Sequence, residues 1–171
     1  MIQRIYREGE TFHYRGKPLL LKTEEVEATK NRVAALERVK LSKDEQHLLY
    51  RPGSGFDARQ CILFWYTAQT ERIVNSLLPN WAKKLQVRPN SAAVKFAKTR
   101  WGSCSSSGRL FFNNRMAMLS DDLAEYIVVH ELCHLKQMNH SKAFWDEVER
   151  ALPGCMGMRR RLREEEKFAV L

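Results

Sequence analysis

From Gln3 to Lys22 short apolar and polar stretches alternate around Arg15-Gly16-Lys17-Pro18, which predicts a β-hairpin with Gly and Pro marking its turn. Val33 to Leu41 and His47 to Tyr50 extend this sheet, with Ser42-Lys43-Asp44-Glu45 as a polar turn, although the first stretch also suits a helix. Arg51-Pro52-Gly53-Ser54-Gly55 breaks the alternation, and the period then lengthens. Ile62, Trp65, Tyr66, Ile73 and Leu77 fall on one stripe of a helix capped by Asp57. Pro79 is expected to stop or kink it, leaving a shorter segment from Trp81 to Leu85. Ala93 to Trp101 and Arg109 to Met118 read as two strands of a hairpin joined by the serine-rich loop Gly102 to Gly108. Ser120 then caps a helix with Asp121 and Asp122 in its first turn, where acids suit the helix dipole, and with Leu123, Ile127 and Leu135 as apolar surface. A further helix, capped by Ser141 and carrying Phe144, Trp145 and Val148, ends near Pro153-Gly154.

The helix that Ser120 opens runs into His130-Glu131-Leu132-Cys133-His134, an H-E-x-x-H sequence. Residues four apart on a helix are offset by about 40° around the axis and about 6 Å along it, so His130 and His134 leave one face and reach one metal ion. Glu131 sits on the flank of that face, placed to hydrogen-bond a water without binding the metal. His140 would point roughly 240° away on a continued helix, so the chain must turn before it can join the other two. Met138-Asn139 is the expected turn, because Asn adopts the left-handed conformation more readily than other non-glycine residues. Three neutral histidines and one open position are the arrangement of catalytic zinc rather than structural zinc. Other divalent transition metals also accept imidazole. His13 and His47 have no partners at ligand spacing and read as ordinary sheet or surface residues.

Composition narrows the classes. At 171 residues the chain has the length of a single domain, expected as a mostly β region over 1–55 and a core with C-terminal helices over 56–171. The longest apolar run, Cys61 to Tyr66, is too short to span a bilayer, and Met1-Ile2-Gln3-Arg4 opens no signal-peptide pattern, so a cytoplasmic protein without membrane contact is expected. Cys61, Cys104, Cys133 and Cys155 form no C-x-x-C pair, which speaks against a cysteine zinc knuckle or a redox motif. Lys and Arg number 29 against 20 acids, a net charge of +9 that favours polyanions or acidic substrates. The densest cluster, Arg159-Arg160-Arg161-Leu162-Arg163, runs straight into Glu164-Glu165-Glu166-Lys167, a pattern equally suited to a solvated helix laced with local ion pairs.

Two blocks of this sequence resemble the YgjP-like family of small bacterial metallopeptidases, distantly related to SprT-type proteases. One is Thr99-Arg100-Trp101-Gly102-Ser103-Cys104-Ser105-Ser106, with Asn113 and Arg115 downstream. The other runs from Tyr126 through the H-E-x-x-H to Asn139-His140-Ser141 and Phe144-Trp145. The resemblance spans roughly Lys95 to Pro153. It implies an α+β fold with a zincin-like core, zinc on His130, His134 and His140, and Glu131 as catalytic base. Arg100, Trp101, Gly102, Ser103, Arg115 and Tyr126 are the candidate substrate contacts, and Tyr126, Arg100 and Arg115 the candidate oxyanion stabilisers.

Three functions are compatible with these features. The first is hydrolysis of a peptide bond by metal-activated water, with a peptide or protein substrate adding as a strand to a sheet edge near the metal helix. The alternative for that hairpin is plain support of the core. The second keeps the metal but acts on a nucleotide or other phosphoanhydride drawn by the basic surface. The third is a nucleic-acid-associated module in which the metal only braces the fold, against which Glu131 argues, because a structural site has no use for a base.

Overall fold

The computed structural model describes residues 4–24, 37–53 and 55–171. Its first sheet has the order β1-β2-β4-β3, built from β1 (Thr11–Tyr14), β2 (Lys17–Thr23), β3 (Val39–Leu41) and β4 (His47–Tyr50). The predicted hairpin is β1–β2, antiparallel, with Arg15 and Gly16 at φ 51° and 78° in its turn. The alternation does its expected work: Leu19 and Leu21 are buried while Leu20 between them is 45% exposed. β3 and β4 join this sheet through a parallel β2–β4 pairing, and of the predicted Val33 to Leu41 strand the part before residue 37 lies outside the described residues.

Helix α1 (Ala58–Leu85) crosses behind, opened by a reciprocal cap in which Asp57 accepts from the Gln60 N–H at 2.7 Å and Gln60 accepts from the Asp57 N–H at 3.0 Å. Ile62, Trp65, Tyr66, Val74, Trp81 and Leu85 are its buried stripe. The expected stop at Pro79 does not occur, and the helix is continuous to Leu85. Pro79 and the residue four before it, Asn75, are both exposed, so the carbonyl deprived of its N–H partner faces water, while Trp81 and Leu85 anchor the last turns in the core.

The second sheet departs further from expectation. Ala93 to Trp101 is not one strand. β5 (Ser91–Lys95) ends early, β6 (Gly102–Cys104) starts inside the predicted loop, and β7 (Arg109–Asn113) gives way to a 3-10 turn over Asn114–Met118. The order is β5-β7-β6, with β5–β7 parallel and β6–β7 antiparallel. Asn113, fully buried, explains the break: its amide donates to the carbonyls of Ala97 and Arg100 at 2.6 and 2.7 Å and its oxygen accepts from the Arg115 N–H, pinning residues 97–100 in a bend. Thr70 of α1 donates to the Asn114 carbonyl and accepts from the Ala117 N–H, fastening the 3-10 turn to α1.

Three helices complete the chain: α2 (Asp121–Cys133), α3 (Lys142–Ala151) and α4 (Cys155–Glu165). α2 is buried along most of its length and packs on α1, β6, α3 and α4. Ser120 sits at its N-cap position, but its hydroxyl does not cap; it donates to Glu165 of α4 at 3.0 Å. No helix among the described residues is long and apolar enough to cross a membrane. The four cysteines are free, Cys133 fully buried among apolar neighbours.

Candidate metal centre

His130, Glu131 and His134 come from the last turn of α2, where the four-residue spacing keeps both imidazoles on one side. The turn beyond falls where expected but is made without a left-handed residue. Asn139 does not take a left-handed φ; instead the helix closes on itself directly after Cys133, with the N–H groups of Leu135 and Lys136 bonding back three residues to Leu132 and Cys133. The chain then bends at Met138-Asn139 as expected, where Asn139 serves as a local acceptor for the Ser141 N–H at 3.3 Å. His140 thereby returns over the helix end. One ring nitrogen from each of His130, His134 and His140 lies within 4.8 Å of the others, with Nε2 of His130 and Nε2 of His140 3.1 Å apart.

α3 forms the wall behind the histidines. Ser141 caps it by accepting from the Phe144 N–H, which turns Phe144 and Trp145 toward the cluster. Phe144, fully buried, stacks on His134 with centroids 4.4 Å apart and meets His130 and His140 edge-on at 4.9 and 4.8 Å. Trp145 stacks on His140 at 5.6 Å.

Burial decides the protonation states. It pushes His130 down to about 3, helped by the neighbouring histidines and Arg159, and it lowers His134, so both rings are neutral, the form that ligates metal. Nδ1 of His134 lies 3.0 Å from the Gln137 carbonyl, which fixes the proton there and leaves Nε2 as the free lone pair. Burial also pushes the Glu131 carboxyl up to about 8, opposed only by the charge of Arg100, and its buried Oε2 has no hydrogen-bond partner among the described residues. Three converging imidazoles beside an uncompensated buried acid form a donor set suited to a cation, whose charge would return Glu131 toward the carboxylate.

The structure sorts the other predicted site residues. Trp101, Gly102 and Tyr126 line a cleft of about 200 Å³ together with Ile127, His130, Glu131 and Leu162. Gly102 lies hard against the acid: a Cβ there would meet Oε1 of Glu131 at 2.6 Å, so only glycine fits. Ser103 follows on β6 without lining the cleft, and Arg100 is exposed. Arg115 is not brought to the chemistry. Its guanidinium donates to the carbonyls of Ala97, Lys98 and Ala169 and lies over the Trp101 ring, leaving it a brace for the 97–100 bend. Tyr126 is buried and its hydroxyl is raised to about 12, chiefly by desolvation. Sequence reasoning missed Leu162, which faces the cleft from α4, and Arg159, one turn before it.

An α+β fold that gathers three histidines and a buried glutamate at the end of one helix defines a metallopeptidase-like protein, and comparison with known proteins agrees. The chain belongs to the YgjP-like family: the family model described as YgjP-like, metallopeptidase domain, matches residues 1–165, well beyond the two blocks that carry the resemblance. Among solved structures it is similar to the metallopeptidase zymogen of Pyrococcus abyssi abylysin, with a TM-score of 0.51 and 25% identity over 57% of this chain and 99% of that one. The metallopeptidase zymogen of Methanocaldococcus jannaschii jannalysin matches at a TM-score of 0.44 and 22% identity, over 57% of this chain and 89% of that one. No curated protein matches the chain. The fold is therefore zincin-like, and the family supports a metal-dependent peptidase.

Proposed function

We propose that the protein is a zinc-dependent peptidase in which His130, His134 and His140 hold one ion and Glu131 is the general base. The observation that carries this reading is the convergence of three ring nitrogens within 4.8 Å beside a buried, unpartnered carboxyl. When bound, zinc supplies a Lewis acid and brings the pKa of water to about 7. Glu131 accepts the proton of the attacking water and returns it to the leaving amine. Gly102 lets the backbone of β6 approach the acid closely, and β6 is an edge strand, paired with β7 on one side only. An extended peptide adding to that free edge by main-chain hydrogen bonds lays its scissile amide beside Glu131. Tyr126, in the cleft, is the better placed of the proposed oxyanion stabilisers, since the Arg115 guanidinium is committed to backbone carbonyls.

Metal analysis of protein prepared without a histidine tag tests the reading. Wild type is expected to hold about one zinc per chain and His140→Ala to lose it. Glu131→Gln is expected to keep the zinc and lose about 10² to 10⁴ in the rate of peptide hydrolysis. Zinc retention indifferent to all three histidines would reject the site. Turnover of nucleoside triphosphates but not of peptides would move the same centre to phosphoanhydride chemistry.

A further inference from the structure

Arg159 lies on the cleft-facing side of α4, three residues before Leu162, which lines the cleft. Its guanidinium carbon stands 4.8 Å from the centroid of Trp145, and the same ring stacks on His140 and lies 5.8 Å from His130. The arginine is thus held against Trp145 at the rim of the histidine cluster. Its charge reaches into the cleft, where it acts on both His130 and Tyr126.

No carboxylate among the described residues neutralises it. Among the described residues Arg159 makes no ion pair, and the acids of the neighbouring helix are committed elsewhere. Asp146 pairs with Lys142 at 2.9 Å, Glu147 with Lys136 and Arg150, and Glu149 accepts from the N–H groups of Gly154 and Cys155. Glu165, further along α4, is taken by Ser120 and Arg161. Glu131 is the one acid lining the cleft. A half-buried guanidinium, pre-oriented by an aromatic face and left without a counter-charge among the described residues beside a catalytic cleft, is built to receive an anionic group of the substrate.

We propose that Arg159 is a specificity-determining residue that selects peptides carrying a carboxylate next to the scissile bond. The cleft, about 200 Å³, accommodates about one side chain, so the selected carboxylate belongs to a residue flanking the bond. It is either an Asp or Glu side chain or the terminal carboxylate of a peptide cut near its end. This inference rests on the peptidase reading.

The test digests a pool of synthetic peptides of defined composition with zinc-loaded wild type, Arg159→Gln, Arg159→Lys and Arg159→Glu. Glu131→Gln serves as the blank, metal content is checked for each variant, and products are mapped by mass spectrometry. Wild type is expected to cut beside Asp and Glu, and matched Glu and Gln peptides to differ in kcat/KM. That ratio should fall by roughly fivefold in Arg159→Gln, the size of a partly exposed charge pair. It should recover in part in Arg159→Lys and shift toward Lys and Arg in Arg159→Glu. A packing role for Arg159 would lower all substrates alike and leave the ratio unmoved. Peptides with a free or an amidated C-terminus separate the two carboxylate sources. Cleavage without acidic preference, or a preference unchanged in Arg159→Gln, overturns this inference alone. No cleavage by wild type above the blank overturns the peptidase reading and this inference with it.

Discussion

At its first turn α2 offers Asp121 and Asp122 outward, and each meets a guanidinium. Arg15 makes two bonds to Asp121 at 2.6 and 2.7 Å, and Arg161 grips Asp122 while also reaching Ser120 and Glu165. At its last turn the same helix directs His130, Glu131 and His134 toward the interior, where Nδ1 of His130 and Oε2 of Glu131 are buried without partners among the described residues. The larger hollow lies at the first end, about 580 Å³ lined by Tyr14, Arg15, Arg72 and the two aspartates, yet both aspartates are paired, Asp121 with Arg15 and Asp122 with Arg161. Size of cavity therefore says less about chemistry here than incomplete pairing does. Exposed ion pairs contribute little and cost little, whereas a buried unpaired group is expensive to keep and persists where something else is to complete it.

The comparison can be pressed at each end. The largest effect is expected from His134→Ala, which removes a buried ring stacked on Phe144 and should abolish both zinc retention and activity, read by metal analysis and peptide assay. Retained zinc would show that the buried end is not the metal site. Gly102→Ala comes next, because its Cβ falls 2.6 Å from Glu131 Oε1 and the backbone or the acid must move. We expect about 1–3 kcal/mol of lost stability in denaturant titration and a larger loss of activity.

The pH dependence of metal-free protein separates the two buried groups. Glu131 titrates at about 8 in the fold against 4.5 when unfolded, so the fold binds its proton more tightly and stability falls as pH rises from 4.5 to 8. His130 titrates at about 3 against 6.5, so the unfolded chain binds the proton more tightly and stability falls as pH drops from 6.5 toward 3. Glu131→Gln should remove the loss on the alkaline side and leave the acid side unchanged, as measured by thermal unfolding in chelator across pH. The smallest effect belongs to the exposed end: Arg161→Ala should cost about 0.2–1 kcal/mol and leave zinc content unaltered.

Local chemistry was legible in the sequence, and long-range geometry was not. The histidine pair, the Asp57 and Ser141 caps and the first hairpin depend on residues within a few positions of one another, and spacing alone reveals such relations. The bend at Met138-Asn139 before His140 was inferred correctly but not its backbone conformation, since a helix end tightened by three-residue bonds leaves no residue signature. The strand break at residues 96–101 is set by a buried amide of β7, and the need for glycine at 102 by a glutamate on α2. Pro79 read as a stop or a kink because the burial of Trp81 and Leu85 beyond it is a tertiary fact. Arg159 looked like one member of a solvated basic run, and only the packing of α4 against α2 and α3 distinguishes it from its neighbours.

The parallel alignment of β5 beside β7 also sets an order of assembly. β6 and β7 are joined by the short Ser105–Gly108 turn and can zip together in about 1–10 μs, whereas β5 must return across residues 96–108 to add on the far side of β7. The strand that faces Glu131 thus meets its partner by a local event, and the outer strand joins by a slower, non-local one.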